Sequence, residues 1–149
     1  MEDEDLLGEL RRLLNSQRFA VVATSHNGHP YTNLVSFALT DDLRSILFTT
    51  SRKTRKFRNI MEDPRTSVLV DNRENKPSDI TDAQSVAAMG MSAEVIGAKQ
   101  EKIALFLDRH PYMADFANNP DFALVEVHVE KFQFVRNFQD VEFIDMNGI

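Results

Sequence analysis

Apolar residues recur along the chain with two periods, and the switches between them divide it into elements. Leu6, Leu7, Leu10, Leu13 and Leu14 form one face of a helix over residues 4–16, opposite Glu9, Arg11 and Arg12. Asp3, Glu4 and Asp5 stand at its start, where acidic groups complement the helix dipole. β-Branched residues then mark a strand over 19–25. Asn27-Gly28 follows, and both central positions of a tight hairpin turn favour these residues because they need positive φ. Further strands are predicted over 31–39 and 45–49, so three consecutive strands joined by short turns make an antiparallel meander. A helix of eight to ten residues comes next, with Phe57, Ile60 and Met61 on its buried face and Pro64 ending it. A strand over 66–70 leads into a polar, turn-rich loop over 72–81, the one stretch long enough to suggest mobility. Residues 85–95 form another strand, and Gly90 inside it predicts a bulge or a close backbone approach. Residues 99–109 read as a helix burying Ile103, Phe106 and Leu107, stopped by His110-Pro111. The last long strand spans 123–135. Val125, Val127 and Val129 share one parity and Phe132 and Phe134 the other, a flip that predicts a β-bulge near Glu130-Lys131. Residues 141–144 add a short edge strand. The whole is a mainly β, α+β chain of six or seven mostly antiparallel strands, closing into a small barrel whose openings and edges the helices cover.

Composition narrows the setting. A chain of 149 residues, 42% hydrophobic and 27% charged, is enough for one domain over 1–149 with a real core. No apolar run approaches a membrane span, and Met1-Glu2-Asp3-Glu4-Asp5 is acidic where a secretory signal is basic, so a cytoplasmic protein with no membrane partner is expected. The absence of cysteine excludes disulfides, thiolate nucleophiles and Cys-ligated metals. A net charge of −6 argues against nucleic acid as a partner.

Against that acidic background one stretch stands out. Between Phe48 and Arg58 lie five of the seventeen basic residues, Arg52, Lys53, Arg55, Lys56 and Arg58, mixed with the hydroxyls of Thr49, Thr50, Ser51 and Thr54. They sit where a strand ends and a helix begins. Cations there oppose the helix dipole, at a cost of a few tenths of a kcal/mol each, unless an anion offsets them. Hydroxyls and backbone N–H groups at a helix start suit a phosphate, although a charge run is also what a solvated helix face looks like. No Walker loop, Rossmann fingerprint or G-x-S-x-G elbow occurs. His26, His29, His110 and His128 share no metal-ligand spacing, and no metal site is expected. His26 and His29 flank a turn and read as exposed, His128 sits on the polar face of a strand, and His110 reads as a helix-end cation.

The order of elements, and the run Leu47-Phe48-Thr49-Thr50 … Thr54-Arg55-Lys56 … Asp63-Pro64, resemble the FMN-binding split β-barrel proteins related to pyridoxamine 5′-phosphate oxidase, over roughly residues 5–136. The resemblance implies a homodimer with FMN at its interface and a small-molecule substrate. It implies that Arg55 and Lys56 hold the FMN phosphate with Thr54, with Arg52 and Lys53 as competing candidates. Thr49, Thr50 and Ser51 would contact the ribityl and ring, and Asn33, Leu34, Val35 and Ser36 would line the ring. Gln84 or Ser85 would join from the partner subunit. Tyr31, His29 and Tyr112 are positional candidates over the flavin. The family's oxidases proper carry a basic, His-containing C-terminal extension, whereas this chain ends Phe143-Ile144-Asp145-Met146-Asn147-Gly148-Ile149. That departure points away from pyridoxamine-phosphate oxidase activity and toward another flavin-dependent oxidoreductase. The alternatives within the family are a user of the deazaflavin F420 and a non-catalytic flavin or haem binding module.

Overall fold

A computed structural model describes residues 3–148, with side chains for residues 5–148; part of the acidic opening, including Met1, Glu2 and the side chains of Asp3 and Glu4, lies outside the described residues. Among the described residues the strands are β1 (Phe19–His26), β2 (His29–Leu39), β3 (Ser45–Ser51), β4 (Arg65–Asp71), β5 (Gln84–Glu94), β6 (Phe122–Arg136) and β7 (Asp140–Asp145). The helices are α1 (Asp3–Ser16), α2 (Arg55–Glu62), α3 (Asp79–Asp82), α4 (Lys99–Arg109) and α5 (Ala114–Ala117). The strands are antiparallel in the order β3-β2-β1-β4-β5-β6-β7, and a further β3–β6 pairing closes the first six into a barrel with β7 as an extra strand. This is a six-stranded split β-barrel with flanking helices. No helix among the described residues is long and apolar enough to cross a membrane.

Inward-facing residues of all six barrel strands fill the core with Phe37, Phe48, Phe132 and Phe134, and Leu6, Leu10, Leu13 and Leu14 of α1 join the same cluster. A second apolar layer lies outside the barrel, where Ile103 and Phe106 of α4 cover Ala38, Leu47 and Leu124. The helices therefore cover only part of the outer sheet face. The rest is bare: Val21 lies opposite both Leu34 and Leu69, and Leu69 opposite Ala87, giving one apolar row across β2, β1, β4 and β5. Leu34 in that row is 74% exposed.

The expected bulge is present. Met89 faces Lys131 and Gly90 faces Val129, so Glu130 is the extra residue, and the buried set switches parity from Val129 to Phe132 across it. Gly90 also meets its partner strand closely, since a β-carbon there would lie 1.9 Å from the His128 carbonyl oxygen. The polar loop after β4 is organised by Asp79, whose carboxylate accepts from the backbone N–H groups of Glu74, Asn75 and Lys76.

His110 differs from its reading as a helix-end cation. It is fully buried; its Nε2–H donates to the Phe37 carbonyl (2.6 Å), which leaves Nδ1 to accept from the Tyr112 hydroxyl (3.0 Å). Burial, aided by the nearby charges of Arg109 and Arg18, pushes its pKa below the ordinary 6.5. The unfolded chain then takes up a proton that the folded chain refuses, so this contribution to stability is present above about pH 6.5 and falls as pH drops below it. Urea midpoints at pH 7 and pH 5 are expected to fall further apart in the wild type than in His110→Gln. The variant is less stable at pH 7 but has the flatter profile; equal slopes would refute the assignment.

Candidate functional site

Thr54 starts α2. Its backbone is extended and its Oγ1 accepts from the Phe57 N–H (3.2 Å), which satisfies one of the unpaired donors of the first turn. The same hydroxyl lies 3.0 Å from the Thr50 hydroxyl, and Ser51 Oγ accepts from the Lys53 N–H, so all three hydroxyl groups brace the β3–α2 turn. Arg55 and Lys56 occupy the first two positions of α2, and no acidic residue lies in its first turn. Arg55 is exposed and Lys56 half-buried, and neither makes an ion pair or hydrogen bond among the described residues. The Lys56 ammonium sits 5.9 Å from the centroid of the buried Phe48 ring, and burial holds its pKa below the ordinary lysine value. A partly desolvated cation at a helix start, with no carboxylate to neutralise it, fits an external anion.

The competing cations separate. Arg52 is committed elsewhere: its guanidinium makes a two-pronged pair with Glu94 (2.7 Å each) and donates to the Pro120 carbonyl. Those bonds tie the end of β3 to the end of β5 and to the loop before β6. Lys53 is exposed and precedes the helix.

Beside the cradle the barrel opens. β2 pairs with β3 only over Phe37–Leu39 and Ile46–Phe48. Beyond Phe37 the strands part, so Asn33, Leu34, Val35 and Ser36 have no ladder partner on that edge, and Thr49, Thr50 and Ser51 face the same opening from β3. Val35 and Thr50 point inward and are buried, while Leu34 points outward. The split thus gives the residues expected to line the ring and those expected to contact the ribityl chain one shared opening.

Gln84 and Ser85 are not brought there within one chain. They begin β5, whose far end carries Glu94, the partner of Arg52, roughly 30 Å along an eleven-residue strand. The Gln84 side-chain amide and the Ser85 hydroxyl have no partner among the described residues.

Sequence reasoning missed Asn59, which α2 buries completely under the cradle. Its Nδ2 donates to Thr24 Oγ1 (3.1 Å), while its Oδ1 has no donor among the described residues. A lone Asn in a charged helix gave no sign of this. Among the described residues no three His, Asp or Glu side chains gather as a metal site.

The closed six-stranded barrel, split between β2 and β3 with a cationic helix start after β3, defines the class of split β-barrels. The chain belongs to the pyridoxamine 5′-phosphate oxidase family, whose model matches residues 6–136. No curated protein matches it. Similar solved structures include a haem-binding protein from Mycobacterium smegmatis (18% identity, TM-score 0.81), aligned over 92% of this chain and 56% of that one. General Stress Protein 26 from Bacillus anthracis aligns at 17% identity and TM-score 0.74 over 95% of this chain and 98% of that one. An FAD-binding protein from Mesorhizobium loti aligns at 19% identity and TM-score 0.68 over 86% of this chain and 90% of that one. The chain spans little more than half of the first of these. At such identities the likeness is one of fold.

Proposed function

We propose that the protein binds FMN as a homodimer and acts as a flavin-dependent oxidoreductase on a small molecule. The observation that carries this reading is the pair Arg55 and Lys56, cations without a carboxylate at a helix start that opens onto the β2–β3 split. They would hold the phosphate, with the free N–H groups of the first turn of α2 and the Thr54 hydroxyl beside them. The unladdered edge of Asn33 to Ser36, with Thr49 and Thr50, would address the ring's polar edge, and the partner subunit's Gln84 and Ser85 would complete it. The bare outer row Leu34, Val21, Leu69 and Ala87 supports a second copy as its cover, since a contiguous apolar surface is the kind that interfaces bury. Bound FMN would supply the two-electron chemistry. The chain's own part is to hold the phosphate, orient the ring and keep water from it.

Denaturing the purified protein and reading the released cofactor by absorbance and mass should give FMN. Release of F420, of haem, or of nothing from a protein that also fails to take up added FMN would overturn the reading. Steady-state reduction of the bound FMN by NADH or NADPH, followed by turnover of an acceptor, separates an enzyme from a storage module.

A further inference from the structure

α2 has eight residues, a length at which a helix is marginal without tertiary contacts. Its core contacts come from Phe57 and Ile60, and apolar packing is non-directional, so it leaves the rotation of the helix about its axis weakly fixed. The directional contacts come from the end of β1, where three consecutive residues reach the helix. Thr24 Oγ1 accepts from Asn59 Nδ2 (3.1 Å), Ser25 Oγ donates to the carboxylate of the C-cap residue Asp63 (3.2 Å), and His26 Nδ1 lies 3.0 Å from the Glu62 carboxylate. The first of these is fully buried, with Asn59 at 0% and Thr24 at 3% exposure. It is also a costly contact, because Asn59 Oδ1 is shut from water with no donor among the described residues. A leucine, of similar size, carries no such cost. A polar pair in an apolar seam fixes one arrangement at the expense of stability, and departures of that kind concentrate at functional sites.

The arrangement it fixes is that of the two cations. Asn59 stands four residues after Arg55 and three after Lys56, so both lie one turn above it, on either side. A rotation of α2 by about 20° would carry a charge about 6 Å from the axis through about 2 Å, enough to break a hydrogen bond to a phosphate oxygen. We propose that Asn59 is a positioning residue of the phosphate cradle: its bond to Thr24 sets the rotation of α2 that aims Arg55 and Lys56 at one anion. The inference rests on the FMN reading for the identity of that anion. Asn59 and Thr24 are buried within one chain, so their contact does not depend on what covers the outer sheet face.

Thr24→Val/Asn59→Leu removes both partners at nearly constant shape, so it is expected to melt no lower than the wild type. Riboflavin is FMN without the phosphate. The ratio of the two dissociation constants, read by quenching of flavin fluorescence, therefore isolates the cradle from the ring contacts and from the dimer. In the double variant FMN affinity is expected to fall about tenfold or more and riboflavin affinity to change by less than about twofold. Thr24→Ser keeps the hydroxyl and should retain the wild-type ratio. Thr24→Val alone reads the same ratio if the double variant fails to fold. An unchanged ratio overturns the proposal, whether or not the melting temperature moves. So does an equal loss for both ligands, which is the result of a merely structural role. A wild type that binds FMN no better than riboflavin, or binds neither, sinks the phosphate reading by itself. The ring-current shift of the Lys56 ε-protons against Phe48, assigned by their absence in Lys56→Arg, then decides the positioning role. A shift lost in the double variant sustains it, and an unchanged shift ends both.

Discussion

Lys56→Ala is expected to weaken FMN retention roughly 10- to 100-fold, since a hydrogen bond to a charged group contributes about 1.5–3 kcal/mol. The half-buried ammonium has no carboxylate partner among the described residues, so its charge is directed to the phosphate, and removing it leaves Arg55 and the helix N–H groups to hold that charge. Arg55→Ala should act in the same direction with a smaller loss, because its exposed side chain is more strongly screened. Arg52→Ala separates a direct from an indirect role. Its guanidinium is held by Glu94 and the Pro120 carbonyl, so its loss should loosen the β3–α2 turn and lower thermal stability before it touches affinity. Lys99→Ala, at the start of α4, is the control. Equal FMN dissociation constants for the Lys56, Arg55 and Lys99 variants in a fluorescence titration would refute the cradle. A pH signature accompanies it. Burial lets Lys56 lose its proton at lower pH than an exposed lysine, so affinity should fall as the solution becomes alkaline. Lys56→Arg should shift that fall to higher pH.

What the sequence made legible was whatever is encoded locally. β-Branched content, turn signals and alternation placed the strands, Pro64 placed the end of α2, and the parity flip between Val129 and Phe132 located the bulge, because a pleat has period two and an extra residue must reverse it. What it hid depends on partners distant in the chain. Barrel closure pairs Ser45–Ser51 with Phe122–His128, and no local pattern specifies that. Arg52 stood as a competing candidate to Arg55, and its pairing with Glu94, forty-two residues away, is what commits it elsewhere. His110 read as a helix-end cation, and only the Phe37 carbonyl, seventy-three residues earlier, explains a buried imidazole there. Short α3 and α5 escaped because four residues do not make a helical period. The candidate site follows the same rule: its cations were visible as a run and their ranking as a resemblance, whereas the commitment of Arg52 to Glu94 came from tertiary contacts.

Gly90→Ala should be the most destabilising single methyl in the barrel. Its β-carbon would lie 1.9 Å from the His128 oxygen, 2.8 Å from the His128 carbonyl carbon and 3.0 Å from the Val129 Cα. All three are backbone atoms that no rotamer change can move, so β5 and β6 must separate or the bulge must shift. Overpacking of this kind costs about 3 kcal/mol or more, which for a domain of this size lowers Tm by roughly 10 °C. Gly97→Ala, where an added β-carbon meets nothing within 4 Å, should change little. A thermal melt that leaves the two variants level would refute the close approach.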